Sequence, residues 1–320
     1  MDVVCLGELL IDFVALESGV TVGEASGFEK APGGAPANVA VAVQRLGKQS
    51  AFLGQVGDDA FGHYLADVLK DEGIDVRGLR FSSDARTMLA FVSLQTSGER
   101  SFMFYRHPSA DMLMTPADIT TEVIDAAQIF HFGSITMISS PAKEATLAAA
   151  QHAQNSGKII SYDPNLRLAL WPDAEAARAG MRLGLEYAHI IKVSNEEVDT
   201  ILNPGESLQD WWEQFEQLQV IFLTRGQGGA IAYRRNGDET SHPGYTVNTV
   251  DTTGAGDSFV AGMLVSLLEQ IQAGSSFEQI QYGQVLRFAN AAGALATSGR
   301  GAIPSLPTRE IVTKFLKNSS

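Results

Sequence analysis

Two stretches far apart in the chain carry residue types that could do chemistry. The stronger is Val250-Asp251-Thr252-Thr253-Gly254-Ala255-Gly256-Asp257-Ser258-Phe259, between a strand-like Tyr245–Val250 and an apolar helix over Phe259–Leu268. Two Gly flanking an Ala at a helix start let successive backbone N–H groups point into one concavity, and the helix dipole adds to its positive potential. That is a site for an anion. Asp257 at the helix N-terminus would also make a good cap, but a plain capped turn does not require two acids, Asp251 and Asp257, around an anion-binding loop. The chemistry allowed is phosphoryl transfer. Asp257 would accept the proton of an attacking hydroxyl while the amides of Gly254, Ala255 and Gly256 hold charge on the transferring group.

The second stretch is Ala31-Pro32-Gly33-Gly34-Ala35-Pro36-Ala37-Asn38. A Gly pair permits close backbone approach to a ligand. Asn38 then begins a helix in which Val39, Val43 and Leu46 recur at i, i+4 and i+7. An Asn at such a place is more often only a cap. Neither stretch is a dinucleotide fingerprint, and Gly226-Gln227-Gly228-Gly229 lacks the Lys-Ser/Thr of a P-loop. His63, His107, His131, His152, His189 and His242 are scattered without a paired spacing, so no zinc site is read. Trp211-Trp212 marks helix packing more readily than an interface.

Six short apolar runs must position these turns: Val3–Leu6, Ala51–Val56, Ile129–Phe132, Ile159–Tyr162, Ile190–Val193 and Val220–Leu223. Each ends in Gly or polar residues, and helix-like stretches such as Phe61–Glu72 and Ala142–Asn155 lie between them. Runs apolar throughout and alternating with helices predict parallel strands covered on both faces. The expected fold class is therefore α/β, a doubly wound, mostly parallel sheet with helices on both faces. In such sheets the ligand sits beyond the carboxyl ends of the strands. Two regions break the rhythm. Thr87–Gln95 and Ser101–Arg106 alternate in period two around a hairpin turn at Thr96–Arg100, and the segment from Asp12 to about Ala31 reads as extended. They predict a small, discontinuous β-sheet lid over 13–31 and 87–106, on an α/β core formed by 1–12, 32–86 and 107–320.

Composition sets limits only. The 320 residues are 45% apolar, ample for a large core, and Lys+Arg 23 against Asp+Glu 37 gives a net charge of −14. Such a chain is a poor partner for nucleic acid or for an anionic membrane. The lone Cys5 excludes an intramolecular disulfide and fits a reducing compartment. With no basic n-region before an apolar stretch and no run of 18 apolar residues, neither a signal peptide nor a membrane span is expected. A cytoplasmic location is the expectation.

Together, Gly33-Gly34-Ala35-Pro36-Ala37-Asn38 and Asp251-Thr252-Thr253-Gly254-Ala255-Gly256-Asp257 resemble the two signatures of the PfkB (ribokinase-like) sugar kinases, in the right order and over essentially the whole chain. Within that family the chain looks most like the fructokinases, the plant type above all. Phe104–Leu113, Ser161–Arg167 and Arg300–Pro307 carry that likeness. The resemblance implies an ATP- and Mg²⁺-dependent kinase with Asp257 as base and with Asp12, Gly33, Gly34 and Asn38 around the sugar. Arg106 and Arg167 would lie near substrate or γ-phosphate, with an exposed ion pair as the alternative for each. Thr224, Gly226 and Gly229 would lie under the phosphates and ribose, and Asn290 at the adenine. The family's N-x-x-E element is altered: Ser194 stands at the Asn position, leaving Glu196 or Glu197 to face Mg²⁺ through water, with Glu197 favoured. A monovalent cation, K⁺ being the candidate, would be held by Asp251, the carbonyls of Thr253, Ala296, Gly299 and Gly301, and Ser305. Apolar faces at Leu89/Phe91 and Phe102/Phe104 suggest a homodimer through the lid. The rivals are a 2-keto-3-deoxygluconate or ribokinase-type kinase, in which Tyr105-Arg106 could meet a sugar-acid carboxylate, and a non-catalytic sugar-sensing subunit.

Overall fold

The computed structural model describes residues 1–94 and 100–319, so the turn read at Thr96–Arg100 lies, but for Arg100, outside the described residues. Each of the six apolar runs forms a strand of one sheet. In chain order the strands are β1 (Val3–Leu6), β2 (Leu10–Ser18), β3 (Phe28–Gly33), β4 (Ser50–Gly57), β5 (Asp75–Ser82), β6 (Leu89–Leu94), β7 (Arg100–Tyr105), β8 (Ile129–Gly133), β9 (Ile159–Asp163), β10 (Ile190–Ser194), β11 (Val220–Thr224), β12 (Ala230–Arg234) and β13 (Glu239–His242). The helices are α1 (Ala35–Arg45), α2 (Ala60–Asp71), α3 (Thr121–Asp125), α4 (Ala142–Asn155), α5 (Ala174–Leu185), α6 (Asn195–Ile201), α7 (Trp211–Gln214), α8 (Ala255–Gln272), α9 (Tyr282–Ala296) and α10 (Arg309–Asn318).

Among the described residues the large sheet runs β13-β12-β11-β10-β9-β8-β1-β4-β5. It is parallel from β11 to β5 and antiparallel at β12 and β13. Chain order reverses between β1 and β8, so the crevice beyond their carboxyl ends is a topological switch point. The strands read as continuous apolar runs because both faces are covered. Val3 and Cys5 join one core cluster with residues of α1, α2, α8 and α9. Val4 and Leu6 join the other, with α4 and α5. Trp211 is buried in that second layer against Phe215.

The four remaining strands form a separate sheet ordered β3-β2-β6-β7. Period-two alternation persists here because the two faces differ. Asp12 stands opposite Ala90, and Ala90 opposite Phe104. The next row, Phe13, Phe91 and Met103, points the other way and stacks Phe13 on Phe91 at 5.1 Å. Because β2 runs without a break from Leu10, Asp12 belongs to this sheet and not to the core segment 1–12. Phe104 packs with Leu10, Met88, Ala90 and Leu170, on the side of Asp12, so Phe102/Phe104 does not belong to the face bearing Phe91.

One expected strand is absent. Residues 245–250 follow Pro243, which has no N–H for a sheet ladder. They cross toward α9 and α10, with Tyr245 against Phe315 and the Val250 N–H bonded to the Thr297 carbonyl at 2.8 Å.

Between β1 and β2 the chain places Glu8 beneath α1. No side chain of Gly34 can cap that helix, and the Glu8 carboxylate instead accepts the Ala35 N–H at 2.8 Å. Glu8 is 2% exposed. Burial, with Asp111 and Asp257 nearby, pushes its carboxyl up to about 7. An acid whose value rises on folding stabilises the fold below its unfolded value and loses that contribution as pH climbs through the folded one. From about pH 5 to about pH 8, wild type should therefore lose up to about 3 kcal/mol that Glu8→Gln keeps, since Gln still accepts the amide but cannot ionise. Urea unfolding across this range measures the difference, and a gap that does not change with pH would show that Glu8 ionises normally.

Candidate active site

The Gly254–Gly256 turn forms the N-terminus of α8. Gly254 is left-handed (φ 78) and lies so close to Ala302 that a Cβ would come within 3.1 Å of it. Asp257 falls in the first helical turn, 9% exposed, and makes no cap. It accepts a hydrogen bond from Asn38 Nδ2 at 2.8 Å, across 219 positions of sequence. Asn38 is correspondingly not a cap: Pro36 starts α1 from Ala35 and puts Asn38 inside the helix. Its Oδ1 is buried with no protein partner. Burial raises the Asp257 carboxyl above the usual aspartate range; the Asn38 donor and the Arg167 and Lys192 charges pull it partly back.

Lys192 is a candidate site residue that sequence reasoning missed. It lies in β10 within an apolar run and was counted as part of it. Period-two alternation puts it on the side of Ile190, facing the α8 layer, at the carboxyl end of the strand. There it is 7% exposed, and its Nζ is 3.7 Å from where a Cβ on Gly256 would stand. It reaches Asp163 Oδ2 at 3.2 Å and Glu197 Oε2 at 3.7 Å. Burial works against the ammonium, but the two carboxylates outweigh it and hold Lys192 charged. Burial pushes Asp163 up despite Lys192. Glu197 is held low because Lys192 and the amides of Ser194 and Leu166, at 2.7 and 2.9 Å, outweigh its burial. Under this cluster His131 bonds Ser161 at 3.1 Å, and burial beside Lys192 pushes its imidazole down to about 3. The available signal was a lysine in a run otherwise fit for a doubly covered strand.

On the small sheet, a Cβ at Gly33 would overlap Asp12 Oδ2, and one at Gly34 (φ 111) would overlap the Glu8 carbonyl. The Gly pair therefore lets β3 and the start of α1 lie against Asp12. Arg167 follows Asn165, which is left-handed (φ 44), and bonds Asn165 Oδ1 at 2.7 Å. Its guanidinium also lies 5.9 Å from the Phe102 ring of β7, bridging core and small sheet. Arg106 is turned away from open space: it is 3% exposed and bonds Asp111 Oδ2 at 2.9 Å and the Ile135 carbonyl at 3.1 Å. A cleft of about 380 Å³ separates the small sheet from the 249–253 and 300–304 loops, with Val14, Lys30, Val92, Thr252 and Arg300 in its walls.

Beyond β11, Gly226 (φ 53) and Gly229 (φ 79) turn the chain back into β12, and Thr224 Oγ1 holds the Val193 carbonyl at 3.3 Å. Asn290 of α9 meets the His242 carbonyl at 3.3 Å and the Pro243 carbonyl at 3.4 Å. Gly229 lies against the same His242–Gly244 backbone, so the turn after β11 and Asn290 meet at the 242–244 segment. On the other side of α8, Asp251 accepts the Thr253 N–H and the Gly301 N–H, both at 2.9 Å, and Ser305 Oγ reaches the Gly301 carbonyl at 2.5 Å. One carboxylate among hydroxyl and carbonyl oxygens suits a singly charged cation. Glu197 faces inward while Glu196 is exposed. Among the described residues no group of three or more His, Cys, Asp or Glu could hold a metal ion.

Comparison with known proteins agrees in extent with this architecture. The chain is 46% identical over 322 residues to Fructokinase-2 of Oryza sativa subsp. japonica, covering 99% of this chain and 94% of that protein. The fructokinase of Xylella fastidiosa with bound ATP superposes with a TM-score of 0.90 at 35% identity, covering 99% of this chain and 98% of that one. A double mutant of the Vibrio cholerae O395 fructokinase bound to fructose, ADP and potassium ion superposes with a TM-score of 0.85 at 33% identity, covering 98% of both chains. The sequence pattern of the pfkB family carbohydrate kinases matches residues 1–309, and the chain belongs to that family.

Proposed function

We propose that the chain is an ATP-dependent fructokinase, converting D-fructose and ATP to fructose 6-phosphate and ADP. The observation that carries this is Asp257, buried at the N-terminus of α8 and held by Asn38, whose own buried Oδ1 has no protein partner. The relatives that are fructokinases support the choice of sugar.

Asp257 stands where it can accept the proton of the primary hydroxyl as that oxygen attacks the γ-phosphorus in line. The Gly254–Gly256 amides, Lys192 and Arg167 oppose the charge that spreads over the phosphoryl oxygens. Asp12, Gly33, Gly34 and Asn38 position the sugar, and Arg106 backs that wall. Thr224, Gly226, Gly229 and Asn290 hold the nucleotide. Mg²⁺, when bound, neutralises the phosphates, and Glu197 would place it through water. The Asp251, Thr253, Ala296, Gly299, Gly301 and Ser305 cluster would hold K⁺, the ion found with the Vibrio enzyme. The small sheet acts as a lid, excluding water that would otherwise compete for the phosphoryl group.

We also place the protein in the cytoplasm, where its buried, unpaired Cys5 stays reduced, and no helix among the described residues is long and apolar enough to cross a membrane. The lid face bearing Phe91 exposes Met103 by 42% and Tyr105 by 57%, and on it a second copy would pair. A dimer mass in light scattering that falls to the monomer's with Tyr105→Glu is the expected result; a monomer throughout refutes the pairing.

A panel of sugars with coupled detection of ADP tests the reaction, and fructose should exceed ribose and the sugar acids. Asp257→Asn should fold and bind ligands but lose roughly 10²- to 10⁴-fold in kcat. In wild type, kcat/KM should fall on acidification at a pH above the ordinary aspartate value, because only the ionised carboxylate accepts a proton and its value is raised. Near-normal turnover in Asp257→Asn would sink the mechanism. Lys192→Met should lower kcat by roughly 10²-fold or more and cost about 3–5 kcal/mol of stability, because Asp163 and Glu197 lose their cation. Full activity in that variant would remove Lys192 from the phosphoryl path.

A further inference from the structure

Arg106 and Asp111 form a buried ion pair five residues apart. Both Nε and Nη2 of Arg106 lie 2.9 Å from Asp111 Oδ2, and the side chains are 4% and 1% exposed. Nη2 also donates to the Ile135 carbonyl at 3.1 Å, and Ser109 Oγ donates to Asp111 Oδ1. The pair is tied on both sides.

The pair lies at the foot of the small-sheet face that carries Asp12, closed off from open space. Phe104 lies across from Ala90, and Ala90 across from Asp12. Two residues further on, Arg106 returns to that same face, one pleat nearer the large sheet. Two strand spacings separate it laterally from the β2 row, on the order of 10 Å. Glu8, whose carboxyl Asp111 and Asp257 both push up after burial, accepts the Ala35 N–H three residues before Asn38.

Resting on the fructokinase reading, we propose that Asp111 sets the acceptor class: by occupying the Arg106 guanidinium it admits neutral sugars and turns away sugar acids. A neutral ketose needs hydroxyl partners only, which Asp12 and Asn38 supply. A sugar acid brings a carboxylate to a wall that already carries Asp12, Asp111 and Asp257. The cation able to receive it is engaged, and an unpaired charge in a buried site is costly. Without Asp111 the guanidinium keeps only the Ile135 carbonyl, and its Nε and the rest of the fork are left to receive a carboxylate.

The test measures kcat/KM with ATP for D-fructose and for 2-keto-3-deoxy-D-gluconate in wild type, Asp111→Asn, Asp111→Ala and the double variant Asp111→Ala/Arg106→Gln. Wild type should prefer fructose. Both single variants should raise the acid-to-fructose ratio by roughly 10- to 100-fold, the worth of one hydrogen-bonded charge pair, and Arg106→Gln should return it to the wild-type ratio. A purely structural role for the pair would lower both activities and leave the ratio unchanged. Asp111→Asn keeps the volume and the Ser109 contact while removing the charge that holds Arg106, so it carries the test if the alanine variant does not fold. An unchanged ratio, a gain that survives Arg106→Gln, or a wild type that uses the acid as well as fructose overturns the proposal. If wild type phosphorylates fructose and the variants do not shift, only this proposal fails. If wild type does not phosphorylate fructose, the fructokinase reading fails first.

Discussion

The hydrogen bond from Asn38 to Asp257 is the contact on which the site depends. It joins the first turns of α1 and α8, helices far apart in sequence, beyond the carboxyl ends of the central strands. A buried bond to a charged acceptor contributes about 1.5–3 kcal/mol, but its larger effect is geometric. It fixes the carboxylate at the mouth of the Gly254–Gly256 turn. Glu8 supports it from below by capping α1 at Ala35, and Gly34 permits the approach because a side chain there would strike the Glu8 carbonyl. The Gly33–Asn38 and Asp251–Asp257 stretches are therefore two halves of one structure.

Charge is concentrated under this contact despite the cost of burying it. Asp163, Lys192 and Glu197 are each less than a tenth exposed. Such a cluster is weak evidence for stability, because desolvation consumes most of the attraction. It makes sense as a preorganised field beneath the Gly254–Gly256 turn, the anion site we propose, in a chain whose net charge is −14. The overall acidity need not repel ATP when the local donors are backbone amides, one ammonium and Arg167.

What was legible followed from local rules. Parallel strands showed as apolar runs because both faces are covered, and the turns that start α1 and α8 showed as glycines. The same rule hid Lys192, since one lysine within Ile190–Val193 scarcely disturbs an apolar average. It also missed β5, β12 and β13, which lie at the margins of the sheet and carry mixed sequences. The 245–250 segment has strand-like residues, yet it is held by Phe315 and Thr297 and not by a neighbouring strand.

The sequence alone determined the fold class and the two glycine turns at the starts of α1 and α8, because each rests on short-range periodicity or on backbone freedom at glycine. Tertiary structure decided which side chains share a charge. It showed Asn38 bonding Asp257 instead of capping α1, Lys192 gathered by Asp163 and Glu197, Glu197 turned inward past Glu196, and Arg106 engaged by Asp111. Electrostatic partnership depends on distances of a few ångströms between chain segments that no local pattern relates, and burial multiplies what those distances are worth.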